Sequence, residues 1–241
     1  MKNTQALLLL ATLFFTVTVR AQPEVVVSSI ADLMTDSVVA QDILKEAYSR
    51  MGYKMIYDPQ PAARALHRAE KGITDGAASR VKKMMLKYPS LIIVPVKLFE
   101  FRVSIFTKDK DMEASLDSLR DSRIGIRRGI KIVEAQTADM DTWSSTYTPE
   151  LFEMLESDRL DALYIAKVDG VVTLTELRNK DKYRFNEIVD LSPALINIPV
   201  YHFVHEKNKH LVEKLTKILG QMRDEGYLKK AYMDFEASLR H

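Results

Sequence analysis

The sequence predicts an α/β fold of two similar lobes, and three observations carry the prediction. Two stretches nearly repeat: Glu70-Lys-Gly-Ile-Thr-Asp75-Gly-Ala and Glu156-Ser-Asp-Arg-Leu-Asp161-Ala-Leu each close a helical pattern, cross a short turn, and enter an apolar strand through Asp and a small residue. Around each, strand and helix patterns alternate with short links, the order of a doubly wound sheet with parallel pairing and right-handed crossovers. Apolar and charged fractions are those of a soluble globular chain, long enough for one sizeable core or two small ones. Two lobes imply a cleft, and concave ligand sites occur preferentially at such interfaces.

The elements follow in order. Residues 25–30 are a continuous apolar and β-branched run, the pattern of a strand covered on both faces. After a polar loop, residues 38–51 have helical spacing, with Leu44, Ala47 and Met51 on one face and Gly52 as the stop. Residues 53–57 alternate as a second strand ended by Pro59-Gln-Pro61, residues 62–71 form a second helix ending at Gly72, and 76–81 form a third strand. Strands are expected again at 91–96 and 101–107, before a charged surface stretch at 108–119. The second lobe repeats the order. A strand at 123–126 leads through the Arg127-Arg128-Gly129 turn to a helix at 130–138, and a strand at 143–147 leads to a helix that Pro149 opens. A further strand spans 161–166. Residues 198–204 return as a strand toward lobe one, and 208–222 form an amphipathic helix with Leu211, Leu215, Ile218 and Met222 in register. A short aromatic-rich helix follows Gly226.

Composition and the N-terminus narrow the function. Lys2, the apolar stretch 6–19 and the Val19-Arg20-Ala21 segment before Gln22-Pro23 read as a cleavable export signal at residues 1–21. The apolar stretch is short of the roughly 20 residues that span a bilayer. With no cysteine, the chain has neither disulfides nor a lipidated N-terminal cysteine, so its stability rests on an ordinary core. The formal charge of +2 falls to near zero once Lys2 and Arg20 leave with the signal. A nucleic-acid partner is therefore not expected, since it calls for a basic excess gathered on one face. His202 and His205 would point to opposite faces of their strand, and no cysteine or acid cluster completes a metal site. No phosphate loop, nucleophile elbow or zinc-protease helix appears, and no cofactor is expected.

Several segments resemble a known family. The helix ending "RMGYK", the turn "KGITDGAASR", and the stretches "YPSLIIVPV", "SLRDSRIGIRRG", "LESDRLDALY" and "MRDEGYLKKAYMDF" occur in the order found in family 3 bacterial extracellular solute-binding proteins, the periplasmic components of polar amino acid ABC uptake systems. The resemblance implies a two-lobed type II periplasmic-binding fold with a double crossover near Thr107 and Pro199. Residues 22–106 and 200–241 would form lobe 1, and residues 107–199 lobe 2. It further implies a periplasmic monomer that closes on a small molecule and passes it to a membrane permease or signals it to a sensor kinase. The alternative is an enzyme on the same scaffold, similar to cyclohexadienyl dehydratase.

Candidate ligand-binding residues are Arg64, Arg80, Arg127, Arg128, Gly129, Tyr164 and Lys167. In the family, an arginine beyond the lobe-one Asp holds a ligand carboxylate, for which a guanidinium offers two parallel donors. Arg80 is the nearest match, at the C-terminal edge of a parallel strand, where open α/β sheets bind ligands. Arg64 lies in the first turn of its helix, where a helix N-terminus adds to an anion's attraction. Arg127 and Arg128 sit beside another positive helix end, an arrangement that favours an anionic visitor over dipole compensation. The family also offers the backbone N–H groups around Gly129 to the ligand. Its lobe-two acid, the partner of an α-ammonium group, falls here on Ala166, with Lys167 next and Asp169 displaced. An anionic metabolite therefore suits the chain better than a standard amino acid. Tyr164, Tyr201 and Phe203 are aromatic candidates for the cleft wall.

Overall fold

The computed structural model describes residues 21–31 and 37–238, and within them the side chains of all but residues 62 and 84–86. The expected signal lies outside the described residues except for Ala21. The first run comprises β1 (Glu24–Ile30), α1 (Ser37–Arg50), β2 (Lys54–Gln60), α2 (Ala62–Glu70) and β3 (Gly76–Val81). A 3-10 turn leads to β4 (Leu91–Ile93) and the long β5 (Phe99–Thr107). The second run comprises β6 (Ile124–Arg127), α3 (Lys131–Gln136), β7 (Thr142–Ser145), α4 (Thr148–Glu156), β8 (Ala162–Ala166) and α5 (Lys167–Lys180). Then β9 (Val189–Asp190) and β10 (Ile196–His205) return, and α6 (Val212–Asp224) and α7 (Tyr227–Ser238) close the described chain.

Local signals explain these boundaries. Gly52 adopts φ +83° and ends α1, a conformation that costs a glycine least. Pro149 occupies the first turn of α4. The strand expected over 91–96 stops at Ile93, two residues before Pro95, which has no N–H for a ladder.

The near-repeat has a structural meaning. The Val26 N–H donates to Asp75 Oδ2 (2.7 Å) and the Asp75 N–H to the Val26 carbonyl (2.7 Å). In the second run the Arg123 N–H donates to Asp161 Oδ2 (2.8 Å) and the Asp161 N–H to the Arg123 carbonyl (2.9 Å). Each Asp thus ties the entry of its own strand to the first strand of its run. Burial works to raise the Asp75 pKa, but the Val26 N–H, Lys207 and Asn208 outweigh it and hold it below the ordinary value. Arg123 lowers that of Asp161 in the same way.

The sheet order is β2-β1-β3-β10-β5-β8-β6-β7, with β4 on β10 and β9 on β5. β1, β2 and β3 are mutually parallel, as are β6, β7 and β8, while β5 and β10 cross between the two sets antiparallel to their neighbours. Register then fixes how the sets face. β3 ends at Val81 opposite Val200, which pairs Phe99 of β5. β8 ends at Ala166 opposite Val103, which pairs Ile196. The two C-terminal edges therefore point at each other across the crossing pair, four residues apart along it, or about 13 Å at the usual rise per strand residue.

Each set has its own core. Val27, Leu44, Tyr48 and Leu219 anchor one cluster beside β1–β3, and Phe106, Phe152, Leu163 and Phe185 another beside β8. Close approach of strands depends on Gly76, where a Cβ would stand 2.2 Å from the Phe203 carbonyl oxygen. Because backbone cannot yield as a side-chain tip can, Gly76→Ala should separate β3 from β10 and cost about 3 kcal/mol or more. Gly220→Ala, on α6 with nothing within 4 Å, should instead stabilise by about 0.5–1 kcal/mol. Urea melts of both variants check this pair, and a Gly76→Ala protein as stable as wild type would contradict it.

Candidate functional site

Parallel strand ends leave unpaired backbone and helix starts, which is why ligands of open α/β sheets bind there. At the first such edge, β3 is flanked by β1 and β10 and carries Arg80 next to last. The residue is only 8% exposed. Nη1 donates to the Ser79 carbonyl at 2.6 Å, while Nη2 is buried without a hydrogen-bond partner. No carboxylate pairs with it among the described residues. Burial pushes the guanidinium down to about 10, with Tyr57 and Tyr88 opposing the shift. Holding a cation in such a place costs several kcal/mol unless an anion compensates it. Tyr57, in the middle of β2, donates its hydroxyl to Ser29 Oγ near the end of β1, and burial raises its pKa. Tyr201 lies opposite Arg80 on β10 and is half-buried. Arg64, in the first turn of α2, is exposed and holds no partner among the described residues.

The second edge is built differently. Arg127 ends β6, Thr148 opens α4 after β7, and Asp169 lies in the first turn of α5 after β8, so three segments converge. Arg127 Nη1 meets Asp169 Oδ2 at 2.9 Å, and Thr148 Oγ1 donates to the same oxygen at 2.7 Å. Asp169 is buried, and its charge is met inside the chain. Lys167 pairs likewise with Asp190 at 2.6 Å.

The Arg127-Arg128-Gly129 turn departs from expectation. Arg128 is exposed and donates from Nη2 to the Ser144 carbonyl (3.1 Å) and hydroxyl (3.3 Å) on β7. It thereby covers part of the outer edge of β7, whose inner edge pairs β6 and which ends the described sheet, a common protection for sheet edges. The Gly129 N–H is taken by Glu134 Oε1 at 2.7 Å, and Lys131 together with that N–H holds the Glu134 carboxyl below its usual range. The anion at this helix start is the chain's own. Tyr164 is fully buried among core side chains, its hydroxyl on Gln136 Oε1 at 2.9 Å. Phe203 is core as well.

His202 is buried and joins Ala77 O (2.9 Å) to Tyr48 Oη (2.9 Å), while His205 Nδ1 accepts from the Lys207 N–H. Among the described residues no three His, Cys, Asp or Glu stand together as a metal site. No described helix is long and apolar enough to cross a membrane. Two surface grooves, of about 770 and 580 Å³, lie elsewhere, between α1 and α7 and between the start of β5 and α7. Sequence reasoning missed Ser29, Tyr57 and Tyr88 around Arg80, and Thr148 as a partner of Asp169. The end of β1 was the only signal for Ser29, and Tyr57, in the middle of β2, gave none.

No family model matches the sequence. An uncharacterized protein of Shewanella oneidensis is 24% identical over 209 residues, covering 83% of this chain and 76% of the relative. Among solved structures, the probable amino-acid ABC transporter extracellular-binding protein ytmK of Bacillus subtilis superposes with a TM-score of 0.68 at 15% identity, over 88% of this chain and 96% of that one. The GluR0 ligand-binding core in complex with L-glutamate gives 0.69 at 9% identity, over 88% and 97%. A histidine kinase sensor domain with similarity to periplasmic binding proteins gives 0.65 at 14% identity, over 89% and 97%. The chain has the type II periplasmic-binding-protein fold. At these identities the likeness is one of fold. In this chain's version of the type II fold the crossing strands are β5 and β10, and Arg80 stands at the edge they border.

Proposed function

We propose that this protein is an exported, monomeric solute-binding protein that captures a small anionic molecule between two lobes and delivers it to a membrane permease or sensor kinase. Lobe 1 comprises residues 22–106 and 200–241, lobe 2 residues 107–199, and residues 1–21 are the signal that directs it to the periplasm. The observation that carries this reading is Arg80, a buried guanidinium with an unpaired Nη2 at the edge facing the second lobe. A ligand anion would supply the missing partner, and contacts from the second lobe would favour the closed state. Arg64 would add attraction at the same edge. Binding is favoured over catalysis because the described aspartates at these strand ends (Asp58, Asp169, Asp190) already hold cations of the chain, and Glu150 is exposed and bonded to the Ser145 hydroxyl. Mass spectrometry of small molecules released from the purified, denatured protein tests the reading. An organic anion near one equivalent is expected. A protein that releases none and shows no thermal shift with any carboxylate would contradict it.

A further inference from the structure

The charges at the two facing edges narrow the ligand class, and the argument rests on the binding reading above. At the first edge, Asp58 is held by Arg68 (2.9 Å) and Gln60 (2.9 Å), while Arg80 and Arg64 hold no acid among the described residues. At the second edge, Asp169 is held by Arg127 and Thr148, and Asp190 by Lys167. Glu150 accepts from the Ser145 hydroxyl at 2.5 Å, and Glu134 from Gly129 and Lys131. The described residues therefore present arginines without an acid on one side, and on the other buried and half-buried acids that already hold cations, with the exposed Glu150 on a neutral hydroxyl.

We infer that the ligand is a carboxylic acid bearing no ammonium or other cationic group. Asp169 is the buried carboxylate at the second edge, and Arg127 fills the place a ligand cation would take. A ligand ammonium would have to displace a guanidinium that makes a charge-assisted contact, or go into the gap without a partner. A hydroxyl or oxo group at the same carbon carries no such penalty, because it needs only a neutral donor or acceptor.

Matched pairs that differ in this one group test the inference. The protein is titrated calorimetrically and by thermal shift with lactate against alanine, 2-hydroxyisocaproate against leucine, 3-phenyllactate against phenylalanine, malate against aspartate, and 2-hydroxyglutarate against glutamate. In every pair that responds, the hydroxy acid should bind at least tenfold more tightly than the amino acid. Equal or tighter binding of an amino acid overturns the inference and leaves the solute-binding reading standing. Silence from all ten compounds overturns the inference, and the solute-binding reading falls with it if the purified protein also releases no organic anion.

Discussion

Replacing Arg80 by alanine should weaken binding of the co-purifying acid, or of the tightest hydroxy acid, by at least about tenfold, roughly 1.4 kcal/mol. Truncating one member of a buried, hydrogen-bonded charge pair commonly costs about 2–5 kcal/mol of binding. The ligand-free protein should respond in the opposite sense. Its Arg80 is 8% exposed and leaves Nη2 unsatisfied, so removing it also removes a desolvated charge. The melting temperature without ligand should stay level or rise by a few degrees, a trade of stability for function that binding sites often show. Calorimetric titration and a thermal melt on the same preparation check both halves. Intact affinity would take Arg80 out of the site, and a sharp fall in ligand-free stability would make it structural.

The second large effect concerns His202. It is fully buried where β10 meets α1, bridging the Tyr48 hydroxyl and the Ala77 carbonyl, and burial lowers its pKa to about 4. His202→Ala should cost about 4 kcal/mol, combining a cavity with two orphaned buried groups. The pH dependence follows from the direction of the shift. A histidine whose folded pKa lies below its unfolded value of 6.5 leaves the unfolded chain binding more protons between those two values. Stability should therefore be complete above pH 6.5 and fall, by on the order of 3 kcal/mol, as pH drops toward 4. The lowered carboxyls of Asp75 and Asp161 act in a separate window, below the ordinary aspartate value of 3.8. Urea melts between pH 7 and 4 measure the slope, which His202→Gln should flatten. A wild-type slope near zero in that range would show that His202 accepts its proton in the folded state.

Much of the architecture was legible because it rests on local chemistry. The Asp75 and Asp161 stretches announced themselves through a turn, an acid and a small residue, and the structure shows why: each carboxylate must reach one particular strand N–H. Helix α5 was not foreseen. Its Val168, Val171, Val172, Thr173 and Thr175 are β-branched, and Gly170 interrupts it, so local preference points to strand. Packing overrides that preference. A Cβ at residue 170 would meet the Phe106 ring at 2.3 Å, so the glycine lets the helix lie close on β5. The candidate site was legible only in part. Arginines are usually solvated, and nothing in the local sequence says that Arg80 is buried beside β10 near the end of β3. The pairing of Arg127 with Asp169 joins residues 42 positions apart, which no spacing rule reveals. Glu134 was nearer to hand: an acid in the first turn of α3 is a standing candidate for the N–H groups of the preceding loop.

The most direct test of the central claim is a crystal structure of the protein with its co-purified or best-binding acid. The ligand's anionic group should lie within hydrogen-bond distance of Arg80 Nη2, at the edge where β3 ends, with the second lobe closed over it. An anion seated elsewhere, such as the groove between α1 and α7, with Nη2 of Arg80 still unpaired, would contradict the account.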